Sequence, residues 1–316
     1  MSTSHRRKIG KNILAPSLSA FSELALAFVP PRDYHVIMPV ATGRCQAQSV
    51  PLREIVIPMA KPKILILRAP GSNCDGELHF AFELAGGAPE KVHINRLRDN
   101  PKLLRTYQML AIPGGFTYGD DVAAGKILAS QLAHFLGEAI RQFRDSEKLI
   151  LGVCNGFQAL LKSGVLLPPD PDEGPLATLA HNDPPGFQDR WVRLAVTPGH
   201  KCPWLKDIDQ MYVPIAHGEG RFVCRHEWIL KGLEQAGQVV LRYCDEAGKP
   251  GPFPINPNSS EGDLAGLCDA TGRVLGIMPH PERHALPTQH PHWTRLGLKS
   301  EGDGLKLFRN AVQFFE

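Results

Sequence analysis

The segment Gly152-Val153-Cys154-Asn155-Gly156 places a thiol between glycines two residues before it and two residues after it. Apolar residues lead into it (Leu149 to Leu151), and apolar residues at helical spacing follow (Phe157, Leu160, Leu161). This is the form of a nucleophile elbow, a strand-to-helix turn so tight that only small residues fit the flanking positions. Such a turn lifts the side chain clear of the carboxyl edge of the sheet. The helix that begins there aims N–H groups and its positive dipole end at the sulfur, which favours the thiolate. A buried cysteine packed between strand and helix is the plainer reading, but it leaves the paired glycines without a purpose. Cys154 is therefore expected to be a nucleophile.

A cysteine nucleophile needs a base, and the fold can bring one from anywhere in the chain. Among 13 histidines, His280 stands out in "LGIMPHPER" (275–283). It lies just beyond an apolar run, so on a parallel neighbour it would reach the same sheet edge as Cys154. Glu282, two residues on, could orient the imidazole as the acidic member of a triad. Pro279 and Pro281 would stiffen the segment. The competing reading is a surface turn rich in Pro and His. His217, in "IAHGEGRF", is a second candidate base, or else, with Gly218, part of a loop that receives the substrate. His290 and His292 in "PTQHPHW" have no evident third ligand, so no metal site is expected. Cys74 in "GSNCDGE" sits at another strand-to-helix junction without symmetrical glycines and is expected to be structural.

Acyl chemistry at Cys154 would also need donors for a developing oxyanion. Gly114-Gly115 in "IPGGFTYGDD" leaves the backbone bare, so the N–H of Gly115 or of Phe116 could point at the target carbonyl. The N–H of Asn155 would be the second donor. No G-K-[S/T] follows the glycines and no G-x-G-x-x-G occurs, which excludes the P-loop and dinucleotide readings.

These residues need a scaffold, and the pattern supplies one. "KILILRA" (63–69), "YQMLAIPGG" (107–115) and "KLILGVC" (148–154) read as strands buried on both faces. Helical spacing follows each of them over 76–87, 127–145 and 156–164. Strand and helix alternation implies a parallel sheet with right-handed crossovers. The second half differs. Strands at 190–198, 211–217, 238–246, 264–270 and 274–280, joined by short Gly/Pro/Asn turns, read as antiparallel hairpins added to that sheet. A helix over 302–315 closes the chain.

Hydrophobic residues at 43% and charged residues at 21% fit a chain with a core large enough to need no disulfide staples. The seven cysteines are scattered, odd in number and lack a C-x-x-C, so neither a disulfide framework nor a zinc ribbon is expected. A reducing, cytoplasmic setting follows from that usage. The formal charge of +3 arises from residues 1–60, where seven Lys/Arg face three Asp/Glu; the remainder carries about −1. Nothing there suggests a nucleic-acid footprint, and no run approaches the length of a membrane span. Residues 1–60 are Pro-punctuated and open on Arg6-Arg7-Lys8. They are expected to be a poorly ordered or non-native extension, with Met59 as an alternative start, rather than a targeting peptide.

Taken together, "APGSNCDGE", "IPGGFTYGDDVAAGKI", "GVCNGFQAL", "RWVRL", "PIAHGEGRF", "NPNSSEGDLAGLCDATGRVLGIMPHPER" and "GDGLKLFRNAVQFF" resemble the class I glutamine amidotransferases. Within them they resemble the glutaminase subunits of phosphoribosylformylglycinamidine synthase, a purine-biosynthetic enzyme. The resemblance covers residues 61–316 in order and spacing. It implies a flavodoxin-like α/β fold and glutamine hydrolysis by Cys154, His280 and Glu282. It also implies an oxyanion hole at Gly115 (or Phe116) and Asn155, and Gln158 contacting the amino-acid end of the substrate. His217 and Gly218 would line the same pocket. The ammonia would pass to a separate synthetase subunit that uses ATP and Mg²⁺, with a small third subunit bridging the two. No cofactor is expected in this chain. Ala69 stands where the family commonly has an aromatic residue, and the loop at 167–175 is Asp/Pro-rich. A peptidase- or glyoxalase-like relative is the nearest rival, but those place histidine directly after the cysteine, where this chain has Asn155. A non-catalytic binding platform is the other, and it would have no need of all three triad residues.

Overall fold

The computed structural model describes residues 60–316. The expected extension, its basic start, Cys45 and the alternative start at Met59 lie outside the described residues. The chain begins with β1 (Lys63–Arg68), α1 (Asp75–Leu84), β2 (Ala88–His93), α2 (Ile94–Asp99) and β3 (Met109–Ile112). It continues with α3 (Lys126–Phe135), α4 (Gly137–Asp145), β4 (Leu149–Val153) and α5 (Asn155–Lys162). Then come β5 (Ala177–Ala180), β6 (Gln188–Val196), β7 (Gln210–His217), β8 (Arg221–Cys224), α6 (Glu227–Gln235) and β9 (Val239–Cys244). The chain closes with β10 (Leu264–Cys268), β11 (Val274–Ile277), the short α7 (Trp293–Leu296) and α8 (Leu305–Gln313).

Among the described residues, nine strands form one sheet in the order β2-β1-β3-β4-β11-β10-β9-β6-β7, while β5 and β8 pair separately. The first five are parallel and follow the flavodoxin-like doubly wound order. The remaining four are antiparallel; of the five strands expected as added hairpins, β11 pairs antiparallel with β10 but joins the parallel set through β4. β3, β4 and β11 are buried at every position, because helices cover both faces of a parallel sheet and an alternating pattern would bury polar groups there. α8 returns to the front of the chain, where the Phe308 and Phe82 rings meet edge-on at 5.0 Å. No helix among the described residues is long and apolar enough to cross a membrane.

Several elements differ from the sequence reading. The helix expected over 127–145 is two helices. Leu136 leaves helical geometry at φ −120°, ψ −2°, and the glycine that follows lowers the cost of the break. β2 and α2 lie in a stretch without an apolar run. β2 is an edge strand with only Val92 fully buried, so its pairing leaves almost no trace in hydropathy. α6 contains Gly232 and buries only Ile229 and Leu233. β5 and β8 are four residues each, too short for a period to register.

The structural link between scaffold and site is α5. Phe157, with no exposed surface, lies directly over Gly276 of β11, where an added Cβ would come within 2.1 Å of the ring. Phe157→Ala should therefore cost about 3–5 kcal/mol, read as a lowered urea midpoint at unchanged m-value. A loss below about 1 kcal/mol would show that α5 is not held by this contact.

Candidate active site

Four strand ends converge at one edge of the sheet. β4 runs into Cys154, β3 into Gly114, β1 into Cys74, and β11 into His280. β4 and β11 are parallel neighbours with Val153 opposite Ile277, and the Cys154 N–H donates to the Ile277 carbonyl at 2.8 Å. The thiol and the imidazole therefore leave the sheet side by side. This is the carboxyl edge, beside the β1/β3 switch point, where doubly wound sheets bind ligands.

The glycines around Cys154 have a steric reason. A Cβ on Gly156 would lie 2.0 Å from the Ile112 carbonyl oxygen, and one on Gly152 would lie 2.6 Å from the Gly156 carbonyl oxygen. The helix start and two strand ends are in backbone contact. Cys154 itself takes φ 49°, ψ −107°, a conformation that costs a non-glycine residue about 1–3 kcal/mol. Its side chain is buried, 5% exposed, and its Sγ is 3.7 Å from the Ala216 carbonyl of β7.

His280 and Glu282 are both 1% exposed, and His280 Nδ1 lies 2.6 Å from Glu282 Oε1. The carboxylate can only accept, so Nδ1 carries the proton and Nε2 is left facing the site without a partner. Burial works against a charged ring. The Glu282 carboxylate and then the Cys154 sulfur outweigh it and hold the His280 pKa well above the usual histidine range. The segment is fixed from outside as well, since the His280 N–H donates to the Pro214 carbonyl of β7 at 2.8 Å.

Cys74, expected to be structural, is buried beside His280 and Glu282. Its Sγ, a ring nitrogen of His280 and a carboxylate oxygen of Glu282 all lie within 4.8 Å of one another. Arg283 Nη2 donates to the sulfur at 3.0 Å, while burial pushes the thiol pKa up. A Cβ built on Gly114 would touch His280 Cε1, Cys74 Sγ and Cys154 Cβ at 2.8, 3.3 and 3.4 Å. The bare backbone of Gly114 is thus the floor between two thiols and the imidazole. The strand order holds the signal for Cys74, because β1 neighbours β3 and its carboxyl end must open at the same edge. The Cys74–His280–Glu282 trio is the group of potential metal ligands found among the described residues. His290 and His292 lie elsewhere, in an aromatic cluster with Trp191 and Tyr212. The six described cysteines are free thiols.

The two alternatives for the first oxyanion donor separate. The Phe116 N–H is spent on the Gly71 carbonyl at 3.0 Å, a bond that pins the loop against β1, so Phe116 is not a free donor. The N–H groups of Gly115 and Asn155 find no acceptor among the described residues. Gln158, 3% exposed, is committed to the protein. Its Nε2 donates to the Glu219 carbonyl at 2.5 Å, and its Oε1 accepts from Asn155 Nδ2 at 3.0 Å. His217 lies close enough to His280 for the two to influence each other. Burial first and the charge of His280 second bring the His217 pKa down to about 3. Its Nδ1 donates to Asn182 Oδ1 at 3.0 Å, because the Asn182 amide nitrogen is used on the Gly186 and His217 carbonyls. Nε2 is therefore a buried acceptor without a partner. Gly218 offers its carbonyl to the Asn182 N–H at 2.9 Å.

A thiol on a strained corner, an imidazole held by a buried carboxylate, and two free N–H groups on facing elements are the parts of covalent acyl transfer. Residues 61–315 match the CobB/CobQ-like glutamine amidotransferase domain. The chain is 48% identical over 257 residues to phosphoribosylformylglycinamidine synthase subunit PurQ of Dehalococcoides mccartyi, covering 81% of this chain and 98% of that one. It is 39% identical over 267 residues to the corresponding PurQ of Methanococcus maripaludis, covering 80% and 97%. A solved structure of PurLQS from Thermotoga maritima superposes with a TM-score of 0.61 at 29% identity, covering 81% of this chain and 100% of that one. With its domain matched from end to end and its elbow intact, the chain belongs to the CobB/CobQ-like glutamine amidotransferase family, alongside the PurQ subunits.

Proposed function

We propose that this chain hydrolyses glutamine and delivers the ammonia to the synthetase subunit of phosphoribosylformylglycinamidine synthase. The observation that carries the reading is the pairing of Cys154 and His280 on adjacent parallel strands, with Glu282 at 2.6 Å behind the ring. The raised His280 pKa favours a proton on the ring beside the sulfur. The thiolate attacks the carboxamide carbon of glutamine, and the N–H groups of Gly115 and Asn155 hold the oxyanion. His280 protonates the departing nitrogen, ammonia leaves, and a glutamyl thioester remains. His280, now neutral, takes a proton from water, which attacks the thioester and releases glutamate. Glu282 keeps the ring oriented throughout. His217 and the loop through Gly218 form the wall opposite the thiol, and the free Nε2 of His217 is an acceptor for a donor on the substrate. Gln158 supports that wall through the Glu219 carbonyl.

The similarity to PurQ chains and to a PurLQS structure supports a synthetase partner, and we extend it to a small bridging subunit. ATP and Mg²⁺ belong in this reading to the partner, where the acceptor amide is activated. Free ammonia is useless unless it is captured, so hydrolysis is expected to be slow until the partner docks.

Two measurements test the reading. Full-length protein with its synthetase partner should release glutamate from glutamine faster than the chain alone. Cys154→Ala should abolish release while leaving complex formation intact. No release by the complete wild-type complex would sink the proposal. The second measurement is histidine NMR at pH 5, where His280 should be protonated and His217 neutral. The signs of their stability effects follow. His217 binds its proton only on unfolding, so it lowers stability as pH falls from about 6.5 towards about 3. His280 stabilises below the unfolded value and loses that contribution as pH rises through its raised pKa. A protonated His217 at pH 5 would overturn the assignment of neutral acceptor.

A further inference from the structure

The two free N–H groups belong to different elements. That of Gly115 is on the loop after β3, and that of Asn155 is in the first turn of α5. The β3–β4 ladder ends at Ile112 and Gly152, before either donor is reached. Beside the two donors the gap beyond the ladder is spanned by the amide of Asn155, which is 1% exposed; at the far end of the loop Lys162 Nζ of α5 donates to the Ala124 carbonyl at 2.6 Å. Asn155 Oδ1 accepts from the Thr117 N–H at 3.3 Å and from Thr117 Oγ1 at 2.5 Å. Its Nδ2 donates to Asp120 Oδ1 and to Gln158 Oε1, both at 3.0 Å. All four bonding positions of the amide are filled.

The loop on the other side needs an anchor. Tyr118, Gly119 and Asp120 take φ 57°, 72° and 53° in succession, and the two non-glycine residues among them are strained in that region. The loop does not sit in a sheet. It is held by the Phe116 N–H on Gly71, by the Tyr118 N–H on Pro70, by Asp120 Oδ1 accepting from the Gly125 N–H at 3.1 Å, and by Asn155. Only the last of these joins it to the nucleophile's helix through the residue that carries the second donor.

We propose that the Asn155 side chain is the positioning residue of the oxyanion hole, fixing the separation between its own N–H and that of Gly115 by tying Thr117 and Asp120 to the first turn of α5. The inference rests on the glutaminase reading above. It explains why the residue after the nucleophile is a buried amide. That position needs a group that accepts on one side and donates on the other. Aspartate would lose the donors and face the Asp120 carboxylate, and leucine would remove all four of these hydrogen bonds.

The test uses the synthetase complex and compares wild type, Asn155→Ala, Thr117→Val and the double variant. A misplaced oxyanion donor lowers kcat and leaves ground-state binding largely alone. Each single variant should lose about 10- to 100-fold in kcat, with the KM for glutamine moving less than about threefold. The double variant should be about as slow as the slower single, because both break the same tie. Alkylation of Cys154 by iodoacetamide passes through no oxyanion, so its rate should stay within about twofold of wild type. Wild-type kcat in Asn155→Ala overturns the inference. So does a fall in kcat matched by an equal fall in alkylation rate and in melting temperature, which would mark a purely structural role. Thr117→Val, the milder change, keeps the test open if Asn155→Ala does not fold. A wild-type complex without glutaminase activity overturns the underlying reading and this inference with it, whereas an active wild type with an unaffected Asn155→Ala overturns the inference alone.

Discussion

Everything in the site depends on a backbone contact. The first turn of α5 is pressed against the end of β3 so closely that Gly156 has no room for a methyl group beside the Ile112 carbonyl. That contact forces the corner at Cys154 into positive φ, which is what turns the sulfur out of the sheet. The strain of about 1–3 kcal/mol is offset by burial beneath it, where Phe157, Leu160 and the strand residues Leu149 to Leu151 are solvent-free. The core thus does more than stabilise the molecule. It holds Cys154 in a backbone conformation that a non-glycine residue would not choose.

The second constraint is electrostatic. Three ionisable groups, Cys154, His280 and Glu282, are gathered where water is nearly excluded. A lone buried imidazolium would be lost to desolvation. The Glu282 carboxylate on Nδ1 is the chief group that offsets this loss, with the Cys154 sulfur second. The same field has the opposite effect on His217. With no carboxylate of its own and a positive neighbour, it is held neutral. Two histidines of one site are thus shifted in opposite directions by what stands next to them.

Much of this is legible in the residues. The spacing Gly-x-Cys-x-Gly encodes a steric fact, and buried parallel strands announce themselves as unbroken apolar runs, so β1, β3, β4 and the elbow can be read directly, whereas β11 reads as a hairpin strand because its parallel partner β4 lies more than a hundred residues earlier. The choice between Gly115 and Phe116 cannot, because it turns on whether the Phe116 N–H meets a carbonyl from a distant loop. Cys74 is illegible for a related reason. Its neighbours are set by strand order, and a sequence gives strands without their order. Gln158 and Asn155 show a third limit. Their types are visible, but only the folded network reveals that the Gln158 amide is spent on the Glu219 carbonyl and that the Asn155 amide bridges two elements. Edge strand β2 and the four-residue strands β5 and β8 leave too little periodic pattern to detect.

The position of β11 has a consequence for the life of the chain before it is complete. β11 is among the last strands to be synthesised, yet it inserts between β4 and β10 in the middle of the sheet. Until residues 274–277 emerge, β4 is an apolar strand with an unpaired edge, and the antiparallel half has no partner on its inner side. Such an edge is a template for wrong pairing, and a parallel insertion between segments separated by more than a hundred residues is slow to form. The nascent chain therefore carries an unpaired apolar edge on the strand that leads into Cys154. His280 follows three residues after the strand that closes that edge, so completion of the sheet and the meeting of Cys154 with His280 are one event.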